Sequence, residues 1–328
     1  MHPINTDRIF SIANSHEFED MALQQFNYQY RNNSVYQGFC DHLGKSPSHL
    51  QKLSDIPFLP IEFFKSHNVV SSTDKPQAIF ESSGTTQSAT SKHFVHDLSL
   101  YEQSFLKGFS SFYGPVEDYC ILALLPAYLE RQGSSLVYMA NDLVKRSQHP
   151  DSGFYLYDLA SLQQKMMVLE QNGTKTLLIG VSFALLDLAE QFPMKLQNTI
   201  IMETGGMKGR RKELIREELH GILKNAFGVP TIHSEYGMTE LLSQAYSKGN
   251  GIFETPPWMK IITRDTEDPL SLQTEGKTGG INIIDLANLY SCSFIATQDL
   301  GKTYPDGSFE VLGRFDSSDI RGCNLMVL

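Results

Sequence analysis

The chain has 328 residues, of which 41% are hydrophobic and 20% are charged, so it can bury a core and is not a disordered polypeptide. Its net charge of −10 argues against a general nucleic-acid or anionic-membrane surface, so any phosphate site must be a local feature. The length allows two domains, or one large domain with a subdomain.

The N-terminal segment lacks the pattern of a signal peptide, and no stretch is long and apolar enough to span a bilayer. The four cysteines are scattered and show no metal-type pairing. We therefore expect a cytoplasmic protein with reduced thiols rather than a disulfide framework. These cysteines are Cys40, Cys120, Cys292 and Cys323.

The first part of the chain predicts helices followed by an apolar connector. Apolar side chains recur through residues 15–43, which predicts one or two amphipathic helices starting near Ser15. Two prolines interrupt the apolar segment 56–65 and disfavour a continuous helix there. We expect that segment to be a buried connector, or alternatively one wall of a substrate pocket.

Beyond residue 97, predicted helices and strands alternate. This order favours an α/β fold with a sheet covered by helices on both faces. The predicted helices cover 98–112, 134–145, 159–169, 183–189 and 211–227, with Ile215, Leu219, Ile222, Leu223 and Phe227 as the apolar stripe of the last one. The predicted strands cover 119–125, 176–180, 199–202 and 229–232.

After Tyr246 the helical periodicity fades. Short apolar runs are separated by Gly, Pro and Asp turns such as Asp306-Gly307, which is typical of strands and hairpins. We therefore predict an α/β nucleotide- and acyl-binding core over residues 1–246 and a β-rich subdomain that completes the nucleotide site over residues 247–328.

A hydroxyl-rich loop over residues 80–92 is the first candidate site. Hydroxyls and backbone N–H groups around a glycine can surround a polyanion, and a lysine adds a positive charge. The spacing is not that of a Walker A loop. The alternative is an exposed Ser/Thr-rich turn. The residues that would hold phosphate are Ser82, Ser83, Gly84, Thr85, Thr86 and Lys92.

Two further candidate sites follow predicted strands, where ligands of α/β sheets bind. Gly205 and Gly206 offer bare backbone to a flat ring before a basic helix, although they could form only a tight turn. In the segment 233–240 an aromatic ring could stack on a base, a hydroxyl could bond phosphate and a carboxylate could hold Mg²⁺. These groups belong to Tyr236, Gly237, Thr239 and Glu240, and the alternative is that Glu240 only caps a helix beginning near Thr239.

The last candidate site combines Asp299 and Arg314. Asp299 could accept both hydroxyls of a ribose, and Arg314 could add a contact to sugar or phosphate. The alternative is a pair of hairpin turns with a surface salt bridge.

The order of these motifs resembles that of the adenylate-forming superfamily. The resemblance rests on Ser-Ser-Gly-Thr-Thr, Tyr-Gly-Met-Thr-Glu, Thr-x-Asp-Leu-Gly and Gly-Arg-x-Asp, and it covers roughly residues 57–322. That group includes acyl-CoA synthetases, firefly-type luciferases and non-ribosomal adenylation domains. The segments 57–65, 205–209 and 321–323 look closest to LuxE-type acyl-protein synthetases.

The resemblance implies the fold of the large N-terminal domain of adenylate-forming enzymes and an ATP- and Mg²⁺-dependent ligase. A carboxylic acid, expected to be a fatty or related acid, would form an acyl-adenylate and then pass to a thiol. It implies that Ser83, Thr85, Thr86 and Lys92 hold phosphate, Gly205, Gly206 and Tyr236 flank adenine, Thr239 touches the α-phosphate, Glu240 binds Mg²⁺, and Asp299 and Arg314 hold ribose.

The chain departs from the family pattern at four points, the least of which is Gln298 in place of the usual glycine between Thr297 and Asp299. Gln87 replaces the usual glycine after the second threonine, and Lys92 lies further along than the family's lysine. The sequence stops at Leu328, where a hinge and a small C-terminal domain would begin. Adenylation is then expected to be slow or to depend on a partner subunit. The alternative is a non-catalytic subunit that binds nucleotide or acyl groups.

The thiol acceptor has three candidates: the chain's own Cys323, CoA or a partner protein. The LuxE-type resemblance implies Cys323, and an unreactive thiol is the alternative. For the acid pocket, the aromatic candidates are Tyr128, Phe183, His233 and Trp258.

Overall fold

A computed structural model describes residues 4–48, 50, 52–82, 90–126, 133–205 and 214–315. Its α-helices are α1 Ser15–Asn32, α2 Ser34–His42, α3 Phe63–Ser66, α4 Leu98–Tyr113, α5 Ser135–Ser147, α6 Leu159–Gln171, α7 Ser182–Gln191 and α8 Arg216–Phe227. Short 3₁₀ turns cover Thr6–Ser11, Leu53–Asp55 and Val116–Asp118.

The strands are β1 Leu59–Pro60, β2 Ala78–Glu81, β3 Lys92–Val95, β4 Cys120–Leu124, β5 Gly153–Phe154, β6 Thr176–Val181, β7 Thr199–Thr204, β8 His233–Tyr236, β9 Ala245–Ser247, β10 Ile252–Phe253, β11 Met259–Arg264, β12 Thr278–Asp285, β13 Phe294–Thr303 and β14 Phe309–Arg314.

The first large sheet has the order β5-β4-β6-β7-β8-β9. Its pairs are parallel except for β8 and β9, which are antiparallel. Every residue of β4 and β6 is buried, as expected for central strands of a parallel sheet. Because the strands run in one direction, their carboxyl ends meet at one edge of the sheet, where the candidate site lies.

The second large sheet has the order β10-β14-β13-β12-β11 and is antiparallel along this path. The short strand β1 joins it by pairing in parallel with β13, Leu59 opposite Ile295. The apolar connector predicted near residue 60 is therefore part of this sheet. Its burial is confirmed by Ile56, Leu59 and Phe64, each at most 3% exposed.

The first helix, α1, also contacts the loop 286–293, which connects β12 to β13 in the second sheet. Helix α1 begins at Ser15, as predicted. Asn14 caps it, because the Asn14 side-chain oxygen accepts the N–H of Glu17 at 3.0 Å. On the buried face of α1, the Gln29 amide donates to the carbonyls of Asn288 and Leu289, and its oxygen accepts the N–H of Ser293. These bonds join segments about 260 residues apart.

Two sequence predictions are wrong in detail. The strand predicted over 229–232 lies instead at His233–Tyr236, so polar side chains occupy a strand next to β7. In α8, Ile215 precedes the helix and is 71% exposed, and Ile222 is 38% exposed, so the buried stripe is narrower than predicted. The beginning of the predicted helix, 211–213, lies outside the described residues.

Among the helices that the structure describes, none combines the length and apolar character needed to cross a membrane. Cys40, Cys120 and Cys292 are buried and unpaired with one another. Burial raises the pKa of Cys40 to about 12 and that of Cys120 to about 11, so these thiols are poor nucleophiles at neutral pH.

Candidate active site

A cavity of about 150 Å³ opens at the carboxyl edge of the first sheet. Its wall is built from the ends of β7 and β8, the start of α5 and the end of β2. The backbone N–H of Glu81 donates to the carbonyl of Gly133 at 2.7 Å, which ties β2 to the approach of α5. Of the predicted site residues, Gly205, Gly237 and Thr239 line this cavity.

Tyr236, Asp299 and Arg314 lie together, although 63 residues separate the first two. The Tyr236 hydroxyl donates to Asp299 Oδ2 at 2.7 Å, and Arg314 Nε lies 3.5 Å from Asp299 Oδ1. Asp299 and Arg314 are cross-strand partners on β13 and β14. Burial raises the pKa of Asp299, while the Tyr236 bond and Arg314 oppose the rise. The Asp299 side chain is 14% exposed and the Arg314 side chain 73% exposed, so Asp299 combines a part-buried hydrogen bond to Tyr236 with an ion pair at the surface.

Aromatic rings fix Tyr236. Phe253 and Phe309 pack edge-on against its ring, with centroids 6.0 and 5.7 Å away. A ring so placed beside a buried carboxylate suits a ligand with a flat base and a hydroxylated sugar.

Ser91 connects the hydroxyl-rich loop to Glu240. At the loop's neck the N–H of Ser91 donates to Ser82 Oγ at 2.9 Å, and the N–H of Ser82 donates to the Ser91 carbonyl at 3.1 Å. Glu240 is only 5% exposed. Burial raises the pKa of Glu240, and a hydrogen bond from Ser91 and the charge of Lys65 oppose the rise. Sequence reasoning did not select Ser91, because nothing in the sequence distinguishes one serine from the others in a Ser/Thr-rich segment.

Backbone carbonyls of Thr239 and Glu240 are held from outside. His93 Nδ1 lies 2.8 Å from the Thr239 oxygen, and Asn288 Nδ2 donates to the Glu240 oxygen at 2.8 Å. His93 Nε2 lies 3.0 Å from Asn288 Oδ1, so these two side chains form a linked pair, here called the bracket, that holds residues 239 and 240. Residues 239 and 240 form a turn rather than a helix start, so the helix-cap alternative for Glu240 is wrong. Sequence reasoning missed both His93 and Asn288.

Lys92 points toward a carboxylate in this structure. Its Nζ lies 3.4 Å from Glu81 Oε1, and the two residues are cross-strand partners on β2 and β3. Both side chains are about half exposed. The predicted phosphate role of Lys92 stays a prediction.

The two described glycines have clear steric roles. Gly205 has φ +65°, in the left-handed region, and its carbonyl accepts the Ser182 hydroxyl at 2.6 Å. A Cβ at Gly237 would lie 2.5 Å from Glu235 Oε1. Both positions therefore bring bare backbone to the cavity edge.

Glu235 is a cavity residue that sequence reasoning did not select. It is 8% exposed, and the Thr204 hydroxyl donates to its Oε2. Burial, the largest effect, raises the pKa of Glu235 to about 7. A carboxyl group that is half protonated near neutral pH is a candidate functional group.

Several predicted site residues lie outside the described part of the chain. They are Ser83, Gly84, Thr85, Thr86, Gly206 and Cys323, together with Tyr128 of the predicted acid pocket. The other aromatic candidates for that pocket, Phe183, His233 and Trp258, do not line the cavity.

The fit of a magnesium ion depends on Glu240. Among the described residues no group of three or more His, Cys, Asp or Glu side chains could hold a metal ion. Magnesium needs only one or two carboxylates when substrate phosphates supply further oxygens. Glu240 is buried with a raised pKa, so a nearby cation would offset the cost of its ionisation. The residues present therefore fit Mg²⁺ bound jointly with a nucleotide.

No protein-family model and no curated protein matches the sequence. Solved structures do share its fold. 2-Hydroxyisobutyryl-CoA ligase in complex with R3-HIB-AMP aligns with TM-score 0.67 and 12% identity over 96% of this chain and 72% of the ligase. An open conformation of that ligase, with 2-HIB-AMP and CoA, gives 0.66 and 13% identity over 92% of this chain and 70% of the ligase.

ATP-bound MatB from Rhodopseudomonas palustris aligns with TM-score 0.56 and 18% identity over 74% of this chain. The chain spans about half of MatB's length, since the alignment covers 49% of it. The expected fold, that of the large N-terminal domain of adenylate-forming enzymes, is confirmed.

Proposed function

We propose that this protein uses ATP to convert a carboxylic acid to an acyl-adenylate and passes the acyl group to a thiol, as LuxE-type acyl-protein synthetases do. One observation carries the proposal: Tyr236, Asp299 and Arg314 lie together, and the charge of Arg314 also acts on Glu240, as expected if these residues share one adenine-nucleotide site. The shared fold of ligases solved with ATP or an acyl-adenylate supports it.

Each predicted group then has a role. Asp299 and Arg314 hold the ribose, and Tyr236 stacks with Gly205 and Gly206 around adenine. Thr239 contacts the α-phosphate, and the loop 82–86 with Lys92 surrounds the remaining phosphates. Glu240 would hold Mg²⁺, which neutralises phosphate charge when bound.

The reaction is catalysed by positioning and charge neutralisation. A carboxylate oxygen of the acid forms a bond to the α-phosphorus, and the bond from that phosphorus to pyrophosphate breaks. For Lys92 to stabilise the departing charge, its ammonium must leave Glu81, which it can do because both side chains are half exposed.

The thiol acceptor of the second step is Cys323, CoA or a partner protein. Cys40, Cys120 and Cys292 are buried with raised pKa values, so Cys323 is the internal candidate. The thiol attacks the acyl carbon, AMP leaves, and a thioester remains.

The test is ATP–pyrophosphate exchange with a panel of carboxylic acids. We expect exchange in the wild type, a loss of at least about 100-fold in Glu240→Ala, and little change in Cys323→Ala, because the cysteine would act only after the adenylate forms. Glu218→Ala, on the exposed side of α8, is the control. Equal activity of Glu240→Ala and Glu218→Ala would refute the assignment.

The second candidate function is a non-catalytic subunit that binds nucleotide or acyl groups and acts with a partner. It is favoured by Gln87 in place of the usual loop glycine. Saturable ATP or AMP binding by calorimetry, with no exchange for any acid alone or with partner proteins, would establish this alternative.

A further inference from the structure

The cavity and the Tyr236 cluster lie on opposite faces of β8. Neighbouring side chains of a strand point to opposite faces, and here Glu235 lines the cavity while Tyr236 faces Asp299 and Phe253. Only the segment 237–239 at the strand's end borders the cavity and continues to Glu240. Gly205 and Thr239, which the proposed function assigns to adenine and the α-phosphate, mark the nucleotide end of the cavity. The part beside Glu235 and Gln244 is then left for the acid.

The described cavity wall is rich in hydrogen-bond acceptors. Glu235 and Glu81 contribute carboxyl groups, and Gln244 contributes an amide. None of the described lining residues is basic. Glu81 already pairs with Lys92, and Thr204 donates to one oxygen of Glu235. A plain hydrocarbon chain would supply no donor to Gln244 or to the other Glu235 oxygen, which is costly in a buried site.

Gln244 points to a missing donor. It is 6% exposed and lines the cavity, and its amide oxygen has no hydrogen-bond partner in the described structure. On the neighbouring strand position, Tyr246 is the cross-strand partner of Glu235, and its buried hydroxyl is also unpartnered. Unpaired buried polar atoms are uncommon in folded proteins and call for an explanation.

Among the described residues, Glu235 forms no ion pair with a Lys, Arg or His side chain. In the part of the chain that the structure describes, the donor to its carboxyl group is the neutral Thr204 hydroxyl, which bonds Oε2. Its other oxygen lies beside Gly237, where a Cβ would come within 2.5 Å. The raised pKa of Glu235 agrees with a carboxyl group that no positive charge compensates.

The cavity volume indicates the size of the group that the described part of the site can hold. About 150 Å³ is comparable to engineered cavities that hold a benzene-sized molecule. A compact substituent fits this space better than a long acyl chain. This inference departs from the sequence-based expectation of a fatty or related acid, which stays a prediction.

We propose that the acid is a compact amino-substituted carboxylic acid whose ammonium group donates to Glu235 and to the amide oxygen of Gln244. This inference rests on the proposed function, because it takes this part of the cavity as the acid's compartment. The acid's own carboxylate would then lie toward Thr239, where the adenylate bond forms. Glu235 sets specificity, and it takes no part in bond making.

The experiment compares acids matched in size that differ in the amine. β-Alanine is paired with butanoate and 4-aminobutanoate with pentanoate, and decanoate is included as a long-chain acid. In ATP–pyrophosphate exchange, we expect the amino acids to have kcat/KM at least about tenfold above their neutral partners. Glu235→Gln should raise KM for the amino acids at least about tenfold, with kcat little changed and the neutral acids unaffected. Glu218→Gln is the matched control on an exposed helix face.

Binding measured by calorimetry separates the two proposals. Exchange that favours decanoate or the neutral acids, with no effect of Glu235→Gln, would overturn this inference and leave the proposed function standing. If no acid supports exchange, selective amino-acid binding that is lost in Glu235→Gln would support the inference while the proposed function fails. Absence of selective binding in that case would overturn the inference.

Discussion

At the scale of single residues, the site depends on carboxylates placed where burial opposes their charge. Glu235, Glu240 and Asp299 all have raised pKa values, with burial as the main cause. A ligand that supplies a hydrogen-bond donor or a cation would therefore stabilise the ionised form of each carboxylate. Ionisable groups with shifted pKa values are common at binding and catalytic sites.

Glu235 should make stability depend on pH. Its pKa is about 7 in the folded protein against an ordinary value of 4.5, so the folded state binds more protons than the unfolded state between these values. Stability contributed by this group is complete below pH 4.5 and falls as pH rises toward 7, by about 3 kcal/mol at about 1.4 kcal/mol per unit. Glu235→Gln should remove this fall. Urea denaturation of both proteins between pH 4.5 and 8 measures it, and parallel stability curves would contradict the assignment.

The hydrogen bond between Tyr236 and Asp299 should contribute to nucleotide affinity. Tyr236→Phe leaves the ring in place but removes the donor 2.7 Å from Asp299 Oδ2. A hydrogen bond to a charged acceptor contributes about 1.5–3 kcal/mol, so we expect ATP binding about tenfold weaker or more. Tyr157→Phe, at a ring 75% exposed, is the control. Calorimetric titration with ATP gives both affinities, and identical values would rule out the assigned role.

At the scale of elements, β13 carries Asp299 and packs closely between β12 and β14. The pairing of β13 with β14 shifts register between Leu300 and Gly301. Arg264, 9% exposed, supports the strand before this point by donating to the Thr297 carbonyl at 2.6 Å. The strand that presents the predicted ribose contact is thus positioned by a buried arginine and a glycine.

Gly301→Ala should destabilise this arrangement. A Cβ there would lie 2.4 Å from the Glu310 carbonyl oxygen and 2.6 Å from Ile281 Cδ1, so backbone or core must move. We expect a loss of about 2 kcal/mol or more in unfolding free energy, since overpacking a core commonly costs about 1–3 kcal/mol. Gly313→Ala on β14 is the matched control, because nothing lies within 4 Å of its added Cβ. Chemical denaturation of the two variants should separate them clearly; equal stabilities would count against the strand geometry.

At the scale of the whole molecule, the sequence predicted the local pattern better than the long-range contacts. Helix α1, helix α4 and strand β6 follow from strong periodicity or a continuous apolar run, so their positions were predicted closely. Strand β8 was predicted four residues too early in the sequence. Its own residues, His233–Tyr236, are mostly polar, whereas the apolar run before them has the composition expected of a strand. The bond from Ser91 to Glu240 and the bracket of His93 and Asn288 join distant segments and leave no local sequence signal. The domain division at residue 246 stays a prediction.

Gln29 should contribute strongly to global stability. Its amide makes buried hydrogen bonds to Asn288, Leu289 and Ser293, so truncation would leave several of their groups unpaired. We expect Gln29→Ala to lower the unfolding free energy by about 3 kcal/mol, within the range for a broken buried network. Gln24→Ala, on the exposed side of the same helix, should change it little. Thermal denaturation of both variants provides the comparison, and similar midpoints would show that the network is dispensable.

The contacts of α1 with residues 286–293 also bear on how the protein is made. During synthesis this helix emerges early, but the carbonyls that its glutamines bind are added only some 260 residues later. Until then Gln25 and Gln29 have no native partners for their side-chain amides, and such delayed closure is associated with slow folding and exposure to aggregation. Recombinant yield should therefore respond to translation rate and to chaperone supply more than the stability of the finished molecule would suggest.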